Sequence, residues 1–251
     1  MKTTGNTILI TGGGSGIGRG LAEAFHALGN QVIIAGRRRE FLEETVSANP
    51  GMAAEILDVT NAGSIREFAA AITAKYPALN VLINNAGIMR REKFTAQDPA
   101  LLDAEAIVTT NLLGPIRLTA ALLPHLLSKA DAALINVSSG LAFVPLAMTP
   151  TYSATKAAIH SYTQSLRYQL QGTSVDVIEL PPPYVATDLM DGRTDPRAMP
   201  LDAFIAEVME ILKAQPDVQE ICVERVKGLR FAEAAGKHDV IFKGLNDSMQ
   251  A

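Results

Sequence analysis

The sequence predicts one α/β domain in which about seven parallel strands form a doubly wound sheet with helices on both faces. Short apolar runs alternate with longer amphipathic segments along the chain, and such alternation implies parallel strands joined by right-handed crossovers. Several runs are apolar throughout, as strands covered on both faces are. The 251 residues, 48% of them hydrophobic, suffice for one large core. No linker or repeat divides them, so residues 1–251 are expected to form a single domain.

The predicted elements follow one another in regular order. Strands are expected over residues 7–11, 31–35, 53–57, 81–84, 133–137, 175–180 and 220–223, and helices over 16–28, 39–48, 62–75, 110–127, 152–171 and 201–214. Two irregular segments interrupt this order, 89–99 and the proline-rich 181–200. Because the second follows a strand at the sheet edge where ligands bind, we expect 181–200 to be a substrate loop.

Charge and cysteine content narrow the functional classes. The formal net charge is −4 and no basic stripe is present, which argues against a nucleic-acid partner. A single cysteine, Cys222, excludes an intramolecular disulfide and fits the reducing cytoplasm. The first residues do not resemble a signal peptide, and no run approaches the roughly 18 apolar residues of a membrane span. The sequence therefore predicts a cytoplasmic protein without a membrane partner.

The four histidines do not indicate a metal site. None pairs with cysteine or acidic residues at the spacing of metal ligands. His26 and His160 lie within helical patterns, and we interpret both as structural. No metal is therefore expected.

A glycine turn joins the first predicted strand to the first helix. Gly12, Gly16 and Gly18 have the spacing Gly-x-x-x-Gly-x-Gly. Glycines allow a tight turn and the close approach of a pyrophosphate, which the helix N-terminus then binds. No Gly-Lys-Ser/Thr follows, so the turn is not a nucleoside-triphosphate P-loop. The residues expected to contact a dinucleotide here are Gly12, Gly14, Ser15, Gly16, Ile17 and Gly18.

Four further motifs follow in order: Asn84-Asn85-Ala86-Gly87 after the fourth strand, Asn111 at the central helix, Ser138-Ser139 after the fifth strand, and Tyr152-x-x-x-Lys156. Residues four apart share one helix face, and a nearby ammonium stabilises phenolate, which predicts a lowered Tyr152 pKa. With the glycine turn, these motifs resemble those of the classical short-chain dehydrogenase/reductase family. Within it, residues 138–162 look most similar to a DltE-like branch.

The resemblance implies a Rossmann fold and an oxidoreductase of the carbonyl reductase or alcohol dehydrogenase type. It would transfer a hydride between a nicotinamide dinucleotide and a carbonyl compound or secondary alcohol. By the same resemblance Tyr152 is the acid/base, and Lys156 binds the nicotinamide ribose and relays protons. Ser139, thirteen residues before Tyr152, binds the substrate oxygen with Ser138 as support, and Asn111 holds a water.

The end of the second strand bears on the choice of dinucleotide. NAD enzymes usually place a carboxylate there to bind the adenosine ribose, but this chain has Gly36-Arg37-Arg38. A guanidinium binds a 2′-phosphate in bidentate fashion. We therefore predict NADP(H), with Arg37 as the main contact and Arg38 as support. NAD(H) stays a weaker alternative, because Ser15 stands where NADP enzymes of this family often have a basic residue.

The resemblance assigns further dinucleotide contacts. Asp58 is expected to bind the adenine amino group, although a capping role before Thr60 and Asn61 is the alternative. The chain departs from the family pattern Pro-Gly-x-Val-x-Thr, because Pro183 replaces the glycine and removes an N–H donor. The remaining expected contacts are Val59, Asn85, Ala86, Gly87, Pro182, Val185 and Thr187.

The expected substrate contacts are mostly apolar, which favours an uncharged hydrophobic ketone, aldehyde or secondary alcohol. An anionic substrate is the alternative if Arg90, Arg91 and Arg193 point inward. The apolar candidates are Leu141, Phe143, Met148, Tyr184, Leu189 and Met190.

Two other functions remain open on the same scaffold: epimerisation or dehydration, and non-catalytic sensing of the dinucleotide redox state. All four catalytic motif residues are present, which favours catalysis. The resemblance also implies a homodimer or homotetramer built on the helices predicted over 110–127 and 152–171.

Overall fold

The computed structural model describes residues 1–94, 101–190 and 194–249. Its sheet confirms the predicted doubly wound architecture, with parallel strands in the order β3-β2-β1-β4-β5-β6. The strands are β1 (Thr7–Thr11), β2 (Gln31–Gly36), β3 (Ala53–Ile56), β4 (Leu79–Asn84), β5 (Ala132–Val137) and β6 (Val175–Leu180).

The helices cover both faces of the sheet. The helix predicted from residue 110 begins earlier, at Leu101, and passes through one π-helical turn, Thr109–Leu113. Part of the predicted irregular segment 89–99 lies outside the described residues. The helices are α1 (Gly16–Ala27), α2 (Arg39–Ala48), α3 (Ala62–Lys75), α4 (Leu101–Val108), α5 (Gly114–Leu127), α6 (Pro150–Gln169), α7 (Leu201–Ala214), α8 (Glu224–Arg230) and α9 (His238–Ser248).

Two hydrophobic cores lie on opposite faces of the sheet. Ile8 and Ile10 of β1 point into one core, whereas Leu9 points into the other. The first core also contains Phe25 of α1, and the second contains Leu122 of α5. Because each strand is covered on both faces, its residues are apolar on both sides, which explains the continuous apolar runs.

The prediction of a seventh strand over 220–223 is wrong. Glu220 forms a single parallel bridge to Glu179 of β6, in which the Ile221 N–H donates to the Glu179 carbonyl at 2.8 Å. The chain leaves the sheet there because Val223 already precedes α8. Ile221 and Val223 are buried in the first core without pairing along the sheet, so an apolar run alone does not separate them from a strand.

One described helical stretch, Leu101–Leu127, is long and apolar enough to cross a membrane by length and composition, with a mean hydropathy of 1.4. This differs from the expectation that no segment approaches the length and hydropathy of a membrane span. A single such helix is weak evidence for a span, since buried helices pass the same test. In this fold its α5 part packs against α3 and its α4 part against α6, as a core helix does.

The order of the strands places a crevice at the centre of the sheet. β1 lies between β2 and β4, so the crossovers run in opposite directions from this point. In open α/β sheets ligands bind in the crevice outside the carboxyl ends of the strands at such a reversal. The predicted motifs at 11–18, 84–87 and 138–139 all follow strand ends and meet there.

Candidate active site

A cavity of about 1120 Å³ opens at the carboxyl ends of the strands. This volume is slightly above the roughly 300–1,000 Å³ typical of ligand pockets. Of the residues predicted to contact a dinucleotide or to act in catalysis, it is lined by Gly12, Gly14, Ser15, Gly16, Ile17, Arg37, Arg38, Val59, Asn85, Ala86, Gly87, Ser139, Tyr152, Lys156, Pro182, Val185 and Thr187.

The glycine turn forms one wall of this cavity. Gly12 and Gly16 have φ angles of +68° and +52°, which favour glycine. Ser15, the N-cap of α1, makes no side-chain capping hydrogen bond, so the first N–H groups of the helix are left for an anionic ligand. Gly18 does not line the cavity, contrary to expectation. It lies beneath the turn, where an added Cβ would be 2.3 Å from the Gly12 carbonyl oxygen.

Asn85 ties the end of β4 to the glycine turn. Its Nδ2 donates to the carbonyl of Thr11 at 3.0 Å and to that of Gly12 at 3.3 Å. The Thr11 hydroxyl accepts hydrogen bonds from the N–H groups of Asn85 and Ala86, both at 3.1 Å. These contacts fix the cavity floor between β1 and β4.

Two arginines lie at the end of β2 on the cavity rim. Arg38 Nη2 donates to the Ser15 hydroxyl at 2.9 Å, and its guanidinium lies 4.1 Å from the centroid of the Phe41 ring. Arg38 thus bridges the second strand to the glycine turn. Arg37 also lines the cavity, whereas Arg39 is paired with Glu43 at 3.7 Å and is not among the lining residues.

Asp58 makes a local side-chain turn just before α3, whose N-cap is Asn61. Its Oδ1 accepts hydrogen bonds from the Thr60 N–H at 3.0 Å and the Thr60 hydroxyl at 2.8 Å. Its neighbours Leu57 and Val59 line the cavity, but Asp58 does not. The side chain of Asp58 thus orders the turn that leads to Asn61, the residue that caps α3, and its contact with the adenine amino group stays a prediction.

Ser139, Tyr152 and Lys156 come together at the centre of the cavity. All three are buried and line the cavity, and the Ser139 side chain lies near enough to Tyr152 to affect its pKa. Lys156 Nζ donates to the Val137 carbonyl at 2.8 Å and lies 5.6 Å from the centroid of the Tyr152 ring. A hydroxyl, a phenol and an ammonium thus converge beside the ends of β4 and β5.

Burial shifts the pKa values of Tyr152 and Lys156 in opposite directions. It raises the pKa of Tyr152 to about 12, with the Ser139 side chain acting in the opposite direction. The expected lowering of the Tyr152 pKa is thus wrong for this structure, because desolvation outweighs stabilisation of the phenolate. Burial also lowers the pKa of Lys156 to about 8, against the attraction of Glu179. Near neutral pH the pair is therefore a phenol beside an ammonium.

Asn111 lies in the π-helical turn, behind the cavity wall. Its Oδ1 accepts from the Ile88 N–H and its Nδ2 donates to the Ile88 carbonyl, both at 2.8 Å. A Cβ on Gly87 would lie 3.4 Å from Asn111 Oδ1 and 3.8 Å from Lys156 Nζ. Asn111 therefore fixes the backbone that passes Lys156, and its role in holding a water stays a prediction. Single π turns often occur at functional sites.

The apolar side of the cavity contains most of the predicted substrate contacts. Phe143 was predicted to contact the substrate, but it does not line the cavity. Its ring packs edge-on against His160 with centroids 4.7 Å apart, and Arg230 covers it. Arg90 and Arg91 line the cavity, with Arg90 paired to Asp103, and Arg193 lies outside the described residues. The predicted contacts found in the lining are Leu141, Met148, Tyr184, Leu189 and Met190.

The contribution of the C-terminal helices to the cavity was not predicted from the sequence. Asn246 of α9 accepts from the Ala147 N–H at 2.6 Å and donates to the Pro145 carbonyl at 3.2 Å, which holds α9 over the cavity. The amphipathic pattern of residues 238–248 was the available signal. The C-terminal lining residues are Leu229, Leu245, Ser248 and Met249.

Replacing Lys156 by methionine is expected to stabilise the fold in a pH-dependent way. The pKa of about 8 lies below the ordinary 10.5, so below pH 8 the folded chain bears the cost of a buried ammonium. Between pH 8 and 10.5 only the unfolded chain keeps this proton, so the cost disappears as pH rises. We expect Lys156→Met to raise the free energy of unfolding by about 3 kcal/mol at pH 7, and this gain to vanish near pH 10.5.

Urea denaturation over this pH range measures the effect. Lys213→Met is the matched control, because Lys213 is exposed on α7, and it should show no pH-dependent gain. A gain for Lys156→Met that stays constant with pH would contradict the prediction.

The comparisons with known proteins agree with this geometry. Residues 6–198 match the short chain dehydrogenase family. The chain belongs to that family. The "Uncharacterized oxidoreductase DltE" of Bacillus subtilis is 40% identical over 98% of both chains, which supports the DltE-like branch.

Several solved structures share the fold. One from Burkholderia cenocepacia, in complex with NADP, is 27% identical, covers 98% of this chain and 99% of its own, and has a TM-score of 0.81. A 3-ketoacyl-(acyl-carrier-protein) reductase from Brucella melitensis, complexed with NADH, is 25% identical, covers 87% and 96%, and has a TM-score of 0.77. This chain is thus an oxidoreductase of the short-chain dehydrogenase family.

Proposed function

We propose that this short-chain dehydrogenase reduces a carbonyl compound, or oxidises the matching secondary alcohol, with NADP(H). The observation that carries the proposal is the convergence of Ser139, Tyr152 and Lys156 in the cavity that the glycine turn also lines. A proton donor, a hydrogen-bond donor for a developing oxyanion and an anion-binding helix end are the parts that this reaction needs.

The cavity wall suits a dinucleotide. An added Cβ on Gly14 would lie 3.1 Å from the Phe41 backbone, and one on Gly16 would lie 3.4 Å from Thr187. The glycines thus leave a narrow passage beside the uncapped start of α1, which would hold the pyrophosphate. Thr187 and Val185 would lie along the nicotinamide half, and Asn85, Ala86 and Gly87 along the adenosine ribose.

Arg37 and Arg38 favour NADP(H) over NAD(H). Solved relatives are complexed with NADP in one case and NADH in another, so the family alone does not decide. The guanidinium groups stand at the end of β2, where a carboxylate would repel a 2′-phosphate. Arg38 is held in place by Ser15 and Phe41, which supports it as a contact beside Arg37. NAD(H) remains the weaker alternative.

A nicotinamide dinucleotide held along the glycine turn would supply or accept the hydride. Tyr152 donates its phenolic proton to the carbonyl oxygen as the alkoxide develops, and the Ser139 hydroxyl donates a hydrogen bond to the same oxygen. The Lys156 ammonium stabilises the phenolate that remains. In the oxidative direction Tyr152 takes the proton back. Burial of all three residues strengthens these interactions, because little water screens them.

The apolar wall favours an uncharged hydrophobic ketone, aldehyde or secondary alcohol. Leu141, Met148 and Met190 contribute to this wall. The C-terminal Leu245 and Met249 extend it, and burying such surface contributes about 25 cal/mol per Å² to binding.

Substituting the two arginines separately tests the cofactor preference. We expect Arg37→Ala and Arg38→Ala each to raise the KM for NADPH by at least about tenfold, because each removes a charge-assisted hydrogen bond of roughly 1.5–3 kcal/mol. The KM for NADH should change little. Steady-state kinetics with both dinucleotides measure this. Arg39→Ala is the control, and equal changes with NADH and NADPH would contradict the preference.

The activity itself is tested by following NADPH and NADH consumption with a panel of ketones and aldehydes. Turnover with apolar carbonyls supports the proposal. Tight dinucleotide binding without any turnover would favour a redox sensor, and an epimer or a dehydrated product would favour the other enzymatic alternative. Either result would overturn it.

We also propose that the chain is cytoplasmic and assembles as a homodimer or homotetramer. Apolar side chains are exposed on the helices expected at the contact, including Leu127 of α5 and Tyr168 of α6. Burying them between subunits removes apolar surface from water. Sedimentation equilibrium tests the assembly, and a monomer at micromolar concentration would contradict it.

A further inference from the structure

A buried carboxylate lies directly behind the candidate active site. Glu179 is fully buried in β6 between the apolar residues Ile178 and Leu180. An ionised carboxylate is costly to bury in such surroundings unless its oxygens are bonded. Strand β6 is apolar elsewhere along its buried side, so the position would suit a leucine. A glutamate at this buried position therefore requires a structural or functional explanation.

Both oxygens of Glu179 are bonded to residues around the site. Oε1 accepts from the Ser138 hydroxyl at 2.5 Å, and Oε2 is 2.7 Å from His160 Nδ1. Ser138 directly precedes Ser139, and Tyr152, Lys156 and His160 are spaced by four on α6, so they share one helix face. The carboxylate therefore contacts the strand end that carries Ser139 and the helix face that carries Lys156.

The charges facing Glu179 come from three directions. On α6 these are Lys156 and His160. After β6 Glu220 and Cys222 follow, and α8 contributes Arg230.

Arg230 is already neutralised, because it contacts both oxygens of Glu220 at 2.6 and 3.0 Å. Burial and the nearby carboxylates raise the pKa of Cys222 to about 11, so its thiol is neutral. Lys156 Nζ donates to the carbonyl of Val137, which directly precedes the Ser138 that Glu179 binds, and among the described side chains no carboxylate pairs with this ammonium.

We propose that Glu179 is a positioning residue, whose buried negative charge keeps Lys156 cationic and whose bond to Ser138 holds Ser139 toward the substrate oxygen. The catalytic part rests on the proposed function, whereas the effect on Lys156 does not. Burial alone disfavours the ammonium, and Glu179 acts against it. At neutral pH the stabilisation of a Tyr152 phenolate therefore depends on this carboxylate.

The experiment follows the ionisation of Lys156 in the whole protein by NMR with isotope-labelled lysine. The Lys156 signal is assigned by its loss in Lys156→Arg. We expect Glu179→Gln to lower the titration midpoint of Lys156 by about one pH unit. Asp176→Asn is the matched control: it removes an exposed carboxylate from the same strand, β6, and it should leave the midpoint and the turnover unchanged.

A folded Glu179→Gln protein with an unchanged Lys156 midpoint would overturn the role of the charge. If Glu179→Gln does not fold, Glu179→Leu provides the same test, since a leucine suits the apolar surroundings. The Lys156 midpoint is measured without turnover, so it tests this inference independently of the proposed function. If the protein oxidises no NADPH but Glu179→Gln still shifts the midpoint, the proposed function is refuted and the effect of Glu179 on Lys156 is supported.

Ser138→Ala tests the second contact separately. It keeps the carboxylate but removes its bond to the strand end. We expect kcat to fall about tenfold, in line with a misplaced oxyanion donor, while the Lys156 midpoint stays the same. An unchanged kcat would overturn the contribution of Ser138.

Discussion

Replacing Tyr152 by phenylalanine is expected to lower kcat by about a thousandfold, within the range that general acid catalysis contributes. The change removes one oxygen, the proton donor next to Ser139, and keeps the ring that fills this part of the cavity. Because Tyr152 is buried, water does not easily replace it. Dinucleotide affinity should stay within about twofold, since the ring is retained.

Single-turnover kinetics with saturating dinucleotide measure this loss apart from product release. Tyr76→Phe is the matched control, because Tyr76 is the C-cap of α3 and does not line the cavity, and its kcat should equal that of the unmodified protein. Near-normal turnover of Tyr152→Phe with dinucleotide bound would refute Tyr152 as the acid and base.

Replacing Gly18 by alanine is expected to have the second largest effect, a loss of about 3 kcal/mol in the free energy of unfolding. The added Cβ would lie 2.3 Å from the Gly12 carbonyl oxygen and 2.4 Å from Asn85 Nδ2. The first contact is with backbone, so the glycine turn must move, and the Asn85 hydrogen bonds that join β1 to β4 would break. We also expect a loss of dinucleotide binding, because the start of α1 would shift.

Thermal and urea denaturation measure the stability, and titration calorimetry with NADPH measures the binding. Gly244→Ala is the control. An alanine at Gly244 meets nothing within 4 Å and has an ordinary helical setting in α9, so it should be neutral or gain up to about 1 kcal/mol. A Gly18→Ala protein as stable as the unmodified chain would show that the turn can relax.

Most strands of the sheet and the motif residues could be predicted from the sequence. Strands buried on both faces are read from continuous apolar runs, and β1 and β6 were predicted with the bounds that the structure has. The glycine turn and the Tyr152–Lys156 pair were recognised because their function requires particular residue types at fixed spacing. The seventh strand was overpredicted, since Ile221 and Val223 are apolar for packing and not for pairing.

Other features depend on contacts between distant segments. The ring of Phe143 turns from the cavity toward His160, and α9 closes the cavity through Asn246. The raised pKa of Tyr152 is also an effect of burial, which the spacing to Lys156 does not reveal. Each of these outcomes depends on which surfaces meet after folding.

Local patterns by themselves determined the alternation of strands and helices, the family and the order of its motifs, because these depend on neighbouring residues and on chemistry that few side chains perform. The tertiary structure alone decided which residues surround Lys156 and how its charge is balanced. Glu179 is 23 positions from Lys156 in sequence, and no motif in its strand predicted a role for it. Burial and charge are properties of the packed chain, so only the fold brings that carboxylate to the site.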